Sequence, residues 1–240
     1  MKEMSILNRG RNTKQYKKVE ETDKLESYYR VRMLLENATG EDVLEMGIGC
    51  GFVTEALCKN FKYVVAMDGS KEIIKQVSKK LGQIDNVTLI HSLFEDYSPD
   101  RTFDDIVMFN ILEHVQHPVD ILKRAKGWLA PGGNIHIIVP NALSLHRRLG
   151  RAMGLNGDER ALSAVDTSWA HRRVYTAETL MEDITTSGLV IEKLEGLLIK
   201  PLSSYQMKTW DNTIFDGLYQ LGKELPELCS GIYAKVLRGD

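Results

Sequence analysis

Three glycines spaced two apart, Gly47, Gly49 and Gly51, follow the apolar run VLEM at 43–46 and precede a helical pattern. Glycine lets a turn take positive φ and lets a ligand approach the backbone with no side chain in the way. Alone, such a loop is equally well a tight strand-to-helix connection. Two carboxylates give it chemistry. Glu45 lies inside the strand just before the glycines, where a carboxylate is costly unless a cation or hydrogen-bond donor meets it; an ammonium group would serve. Asp68 ends the apolar run VVAMD, about 20 residues further on, where an acidic side chain can accept hydrogen bonds from both hydroxyls of a ribose. The spacing is not the G-x-G-x-x-G that cradles a pyrophosphate, so a nucleoside without phosphate fits all three features.

Acid–base candidates follow the fourth apolar run. Asn110, at the carboxyl end of that run, lies where open α/β sheets bind ligands; it reads either as an orienting group or as a loop-capping asparagine. His114 in LEHV reads as a general base of near-neutral pKa or as a histidine bonded to backbone. His117, before Pro118, reads as a loop residue. The basic set His146, Arg147, Arg148, Arg151, Arg172 and Arg173 could meet an anionic acceptor through the guanidinium fork, or form a solvated face. Trp169 and Trp210 read as apolar walls of a ligand site or as core.

The elements that must position these groups follow from periodicity. Residues 1–40 carry Tyr16, Tyr28 and Tyr29 at helical spacing and predict an N-terminal helical cap. From 41 to 140, apolar runs at 42–46, 63–67, 87–91, 104–109 and 134–139 alternate with helical patterns at 51–60, 70–82 and 117–129, the signature of βαβ units and a mostly parallel sheet. APGG at 130–133 predicts a turn. Residues 141–240 are expected to elaborate an acceptor site and supply the last strands at 189–200 and 231–238, with a helix near 211–224 between them. A further helix begins at TAETLMEDI, with Thr176 as N-cap but Thr179 where a capping box has Glu.

The 240 residues fit a single α/β domain. A net charge of −2 offers no positive field for nucleic acid. Cys50, Cys58 and Cys229, an odd number without C-x-x-C spacing, predict free thiols and no zinc site. With no secretory or membrane-spanning pattern, the chain reads as cytoplasmic, and no amphipathic anchor stands out.

Taken in order, VLEMGIGCG, VVAMDGS, SLFED, FDDIVMFNILEHVQHP and LAPGGNIHIIVPN resemble the motifs of class I S-adenosylmethionine-dependent methyltransferases of the small-molecule type, over about residues 42–140. The resemblance implies a doubly wound sheet of seven strands, six parallel and one antiparallel, with helices on both faces and lid-like insertions. It implies S-adenosylmethionine as cofactor: Glu45, Gly47 and Gly49 around its methionine and ribose, Asp68 and Gly69 at the ribose hydroxyls, Ser92, Leu93 and Phe94 around the adenine, and Asn110 beneath the sulfonium. Many relatives have Asp where this chain has Ser92, so Glu95 or backbone would take over the adenine amino group. It also implies a histidine near the acceptor, His171, which ties with His114 as catalytic base, and N-terminal helices whose Tyr16, Tyr28, Tyr29 and Arg30 close over the cofactor, those tyrosines otherwise packing on the sheet with their hydroxyls at the surface. Tyr16, Tyr29, Arg30, Asn141 and Trp169 are the candidate acceptor contacts.

The expected reaction moves a methyl group to oxygen or nitrogen of a small metabolite, anionic or sugar-like, with no metal and no nucleic-acid or membrane partner, in a monomer or homodimer. A nicotinamide-dependent oxidoreductase and a noncatalytic cofactor-binding scaffold are the alternatives. Base methylation ranks low because FNIL stands where NPPY or DPPY would.

Overall fold

The computed structural model describes residues 13–155 and 157–239, with side chains from Lys24 onward. Helix α1 (Thr13–Leu35) leads into β1 (Asp42–Met46), α2 (Phe52–Asn60), β2 (Tyr63–Asp68), α3 (Lys71–Leu81), β3 (Val87–His91), β4 (Phe103–Phe109), α4 (Pro118–Trp128) and β5 (Leu129–Pro140). Two short helices, α5 (Leu145–Ala152) and α6 (Ala164–Ser168), precede α7 (Ala177–Thr186), β6 (Val190–Gly196), α8 (Ser204–Met207), α9 (Asn212–Glu224), a 3₁₀ turn (Pro226–Leu228) and β7 (Gly231–Leu237). The sheet has the order β3-β2-β1-β4-β5-β7-β6. Only β7 runs against the rest, pairing antiparallel with both β5 and β6.

The order reverses between β1 and β4, the place where a parallel sheet opens a crevice beyond its carboxyl ends. Met46 and Phe109 end these two strands, so the glycine loop and Asn110 fall on either side of that crevice.

Period-two alternation sorts the strand residues onto two faces. Leu44, Met46, Val65, Met67, Ile106 and Met108 pack with α4 and α7. Val43, Val64 and Val107 face the other way, against Leu34 of α1 and Leu57 of α2. On that same side α1 and α9 meet through Tyr29, Met33, Phe215 and Tyr219. No helix among the described residues is long and apolar enough to cross a membrane.

Three local expectations change. APGG does not precede β5 but lies within it: Phe103 pairs with Leu129 and Asp105 with Asn134, so residues 130–133 loop out opposite one residue. Gly132 has φ 79°, and a Cβ on Gly133 would lie 2.8 Å from the Asp104 carbonyl oxygen. The strand expected over 189–200 stops at Gly196, where a Cβ would lie 2.3 Å from Cys229 Sγ; the chain bends away there, and Lys200 becomes a loop residue. The capping box of α7 forms without Glu, because Thr179 Oγ1 accepts the Thr176 amide at 3.0 Å while its own amide donates to Thr176 Oγ1 at 3.3 Å.

Candidate active site

A cavity of about 1670 Å³ opens beyond the carboxyl ends of β1, β2 and β4. Ligand pockets usually hold about 300–1,000 Å³, so this one has room for two small molecules side by side.

The glycine loop forms one wall. Gly47 has φ 85°, its N–H donates to the Met67 carbonyl at 2.8 Å, and a Cβ there would collide with Ile111 Cδ1 at 2.1 Å. Gly49 has φ 56°, and a Cβ would meet nothing within 4 Å; its bare backbone faces open space where a ligand can approach. Asp68 is oriented from both sides, its Oδ2 accepting the Ile48 amide at 3.1 Å and its Oδ1 the Ser70 amide at 2.8 Å. The half-buried carboxylate is thereby fixed across the loop, on the cavity wall.

Glu45 differs from Asp68. It is buried, and its Oε2 has no hydrogen-bond partner among the described residues. Burial pushes its carboxyl up to about 8, eased by the Thr54 hydroxyl and reinforced by the Asp68 charge. A buried polar atom without a partner is expensive in a folded chain and marks a place where a ligand is missing.

Leu93, Phe94 and Glu95 continue the wall beside Gly69. Arg124 pins this segment by donating to the carbonyls of Phe94 at 3.2 Å and Tyr97 at 2.8 Å. Ser92 donates its hydroxyl to the Leu93 carbonyl at 3.0 Å, which orients its oxygen lone pairs as acceptors alongside Glu95 and backbone carbonyls. Asn110 has φ 55°, a left-handed conformation that asparagine tolerates better than most residues. Its N–H donates to the Ile138 carbonyl at 2.7 Å, and the residue lines the cavity.

His114 and His171 come from segments 57 residues apart yet meet edge to face, their ring centres 4.8 Å apart on the cavity wall. They differ in their partners. His171 Nδ1 lies 3.2 Å from Asp166 Oδ1. The other oxygen of Asp166 accepts from the Ser163 amide (2.8 Å), the Ser163 hydroxyl (2.6 Å) and Arg147 Nη1 (2.9 Å). Burial would raise the Asp166 carboxyl, but His171, Ser163 and Arg147 hold it well below the usual range. The approach of His171 lacks hydrogen-bond geometry, so Asp166 acts on the His171 ring through its charge. His114 Nδ1 lies 3.4 Å from the Ala170 carbonyl, and its Nε2 is 4.0 Å from Glu113 Oε1.

Glu113, which the sequence reading passed over, is fully buried with neither carboxylate oxygen bonded among the described residues, and burial pushes it up to about 8. Glu113, His114 and His171 bring one donor atom each within 4.8 Å of one another, a set that would admit a cation. Burial disfavours the charged form of Glu113, which weakens the set as a cation site and leaves a carboxyl and two imidazoles in proton-exchange range of one another.

The acceptor contacts expected from sequence divide. Arg30 and Trp169 line the cavity. Tyr29 does not: it is buried against α9, its ring 5.1 Å from that of Tyr219 and its hydroxyl donating to Asp216 at 3.1 Å. Asn141 lines the wall but spends its side chain on the fold, donating to the carbonyls of Glu227 (3.1 Å) and Cys229 (3.0 Å) and accepting the Leu143 amide (2.9 Å). The side chain of Tyr16 lies outside the described residues.

The basic cluster is mostly committed to the protein itself. Arg151 pairs with Glu159 at 2.8 Å, Arg172 donates to the His114 carbonyl at 3.1 Å, and Arg173 bonds the carbonyls of Leu112, Val115 and Gln116. The last two thus clamp the loop that carries the histidine. Arg148 is exposed, and Leu149, Met153 and Leu155 stand exposed beside it, an amphipathic surface not evident from the sequence pattern.

A family model described as methyltransferase domain matches residues 22–194. The ubiquinone biosynthesis O-methyltransferase of Vibrio parahaemolyticus is 26% identical over 187 residues, covering 74% of this chain and 77% of that one. The human mitochondrial enzyme of the same name is 27% identical over 177 residues, covering 69% of this chain and 46% of its own length. Two solved structures share the fold. A possible histamine N-methyltransferase from Thermotoga maritima superposes with TM-score 0.66 at 16% identity, covering 98% of this chain and all of that one. The N-methyltransferase NodS from Bradyrhizobium japonicum, in complex with S-adenosylhomocysteine, gives 0.58 at 16% identity, covering 90% and 86%.

Proposed function

Because this chain belongs to the methyltransferase-domain family, we propose that it transfers the methyl group of S-adenosylmethionine to an oxygen or nitrogen of a small metabolite. The observation that carries the cofactor is Glu45. Its unpaired, buried carboxyl stands at the end of β1 behind a glycine loop open to the cavity, and an α-ammonium group would supply the partner it lacks. Asp68, already oriented by two backbone amides, would accept from the ribose diol, and Leu93 and Phe94 would flank the adenine. The names of the curated relatives, O-methyltransferases, support oxygen as the acceptor atom.

The bound cofactor supplies an electrophilic methyl carbon on a sulfonium. What remains for the protein is alignment and, for a hydroxyl acceptor, removal of one proton. His171 would take that proton, and the Asp166 carboxylate 3.2 Å from its ring would stabilise the imidazolium by its charge. Glu45, the glycine loop and Asp68 would hold the cofactor so that its methyl carbon met the acceptor oxygen in line, with the sulfur as leaving group. Arg172 and Arg173 hold the Leu112–Gln116 loop against the wall so that both histidines face one space.

Calorimetric titration with S-adenosylmethionine, S-adenosylhomocysteine and NADH tests this reading. Micromolar binding of both sulfur nucleosides is expected, weakened in Asp68→Ala by two charged hydrogen bonds of about 1.5 kcal/mol each, or roughly a hundredfold. Binding of NADH alone, or of none, would overturn it in favour of the oxidoreductase or the scaffold.

A further inference from the structure

Opposite the glycine loop, the cavity wall is built by α1, the start of α5 and the loop after β6. Glu26 and Lys200 meet there at 2.6 Å, with side chains 18% and 14% exposed. Lys200 Nζ also reaches Ser204 Oγ at 3.3 Å. Arg30 Nη2 takes the second oxygen of Glu26 at 3.1 Å. Burial by itself would raise the Glu26 carboxyl, but the charges of Lys200 and Arg30 outweigh it and bring the group down to about 2.

Each Glu26 oxygen thus already meets a cation, which leaves one negative charge facing two positive ones. The donors around it are in excess. An ammonium carries three N–H bonds; Glu26 and Ser204 engage two of them. His146 and Ser230 line the same wall, and neither His146 Nδ1 nor Ser230 Oγ has a partner among the described residues. Burial first and the Lys200 charge second push His146 down to about 4, with Glu26 opposing.

We propose that this wall is the specificity subsite of the acceptor, and that the acceptor carries an anionic oxygen group, carboxylate or phosphate, seated against Lys200, Ser204 and Ser230. The inference rests on the methyltransferase reading, which assigns the other half of the cavity to the cofactor. It moves anion recognition away from Arg151, Arg172 and Arg173, which are engaged internally, to Lys200, which no motif marks. The cationic wall would select against uncharged acceptors of the same shape, since a hydrogen bond from an ammonium to an anionic oxygen is roughly twice as strong as one between neutral groups.

The test is calorimetry on protein saturated with S-adenosylhomocysteine, with benzoate, phenyl phosphate and benzyl alcohol as probes. At least one anionic probe should bind, benzyl alcohol should bind at least tenfold more weakly, and Lys200→Met should weaken the anion at least tenfold while changing S-adenosylhomocysteine affinity less than twofold. Because Lys200→Met leaves Glu26 with one cation, the charge-balanced double variant Glu26→Gln/Lys200→Met is measured alongside and should show the same loss. Equal binding of benzyl alcohol, unchanged anion binding in both variants, or no binding of either anion at millimolar concentration would each overturn the subsite. Failure of the wild type to bind S-adenosylhomocysteine would instead overturn the methyltransferase reading beneath it.

Discussion

Inside the sheet and at its carboxyl edge, the same strands treat buried polar groups in opposite ways. In the interior, Asp105, His136 and Tyr233 form a closed chain from three adjacent strands: His136 Nε2 lies 2.7 Å from Asp105 Oδ1, and its Nδ1 2.8 Å from the Tyr233 hydroxyl. The other oxygen of Asp105 accepts the amides of Thr39 at 3.2 Å and Gly40 at 2.9 Å. Burial would raise that carboxyl, yet the bonds from His136 and the two amides hold it below its ordinary value. At the edge, Glu45 and Glu113 are as deeply buried, but leave carboxylate oxygens unbonded and are pushed up to about 8. A satisfied network rigidifies a scaffold, whereas an unsatisfied one waits for something to complete it.

The comparison fixes where each kind of substitution should act. The largest effect belongs to the interior: His136→Leu takes the short contact from Asp105 Oδ1, leaving it only Asn134 at 3.5 Å, and removes the partner of the buried Tyr233 hydroxyl, and should cost about 3–5 kcal/mol of unfolding free energy. Urea denaturation measures it, and a cost under about 1 kcal/mol would mean the interior chain is no better satisfied than the edge. Next comes Asp166→Asn at the edge. It should lower kcat by about 100-fold, the lower end of what a positioned base contributes, leaving S-adenosylhomocysteine affinity intact; an unchanged kcat would reduce Asp166 to the cap of α6.

The smallest effect is a pH dependence. Glu45 has an ordinary value of 4.5 and sits at about 8 in the folded chain, so between these limits the folded protein keeps a proton that the unfolded chain has lost. Its contribution to stability is full below the lower value and declines as pH rises through the upper one. A ligand ammonium reverses the preference. Binding of S-adenosylhomocysteine near neutral pH should therefore release a proton and tighten as pH rises towards 8, by at most about tenfold per pH unit. Calorimetry in buffers of different ionisation enthalpy detects the proton, and Glu45→Gln should abolish it.

Most of the strands were legible in the sequence because their signals are local: an apolar run, a glycine turn and an amphipathic helix recur from Asp42 to Trp128. Gly47, Asp68 and Asn110 were found because the carboxyl ends of strands are the positions that a parallel sheet assigns to ligands. The remainder depends on contacts that no local pattern encodes. Asp105 and Tyr233 join through His136 across sequence separations of 31 and 97 residues, and three isolated polar residues in apolar runs look like defects. Lys200 pairs with Glu26 from 174 residues away. Tyr29 and Arg30 are adjacent in one helix, yet helical rotation sends one into the core against α9 and the other to the cavity; without knowing which face α9 covers, both read as acceptor contacts.

The reversed strand β7 has a consequence for the order in which the molecule is made. It lies between β5 and β6, pairing with both along most of its length, so β6 can join the sheet only through a strand translated after it. On the ribosome the five parallel strands that frame the glycine loop can assemble while β7 is still in the exit tunnel, since domains gain structure from the amino end during synthesis. The Lys200 segment, suspended between β6 and β7, pairs with Glu26 of α1 and bonds Leu218 of α9, but it gains its backbone bonds to Ser230 and Gly231 only when β7 threads into place. The glycine-loop wall of the cavity can thus form before the Lys200 wall is locked, so a nascent chain would shape the two walls in sequence.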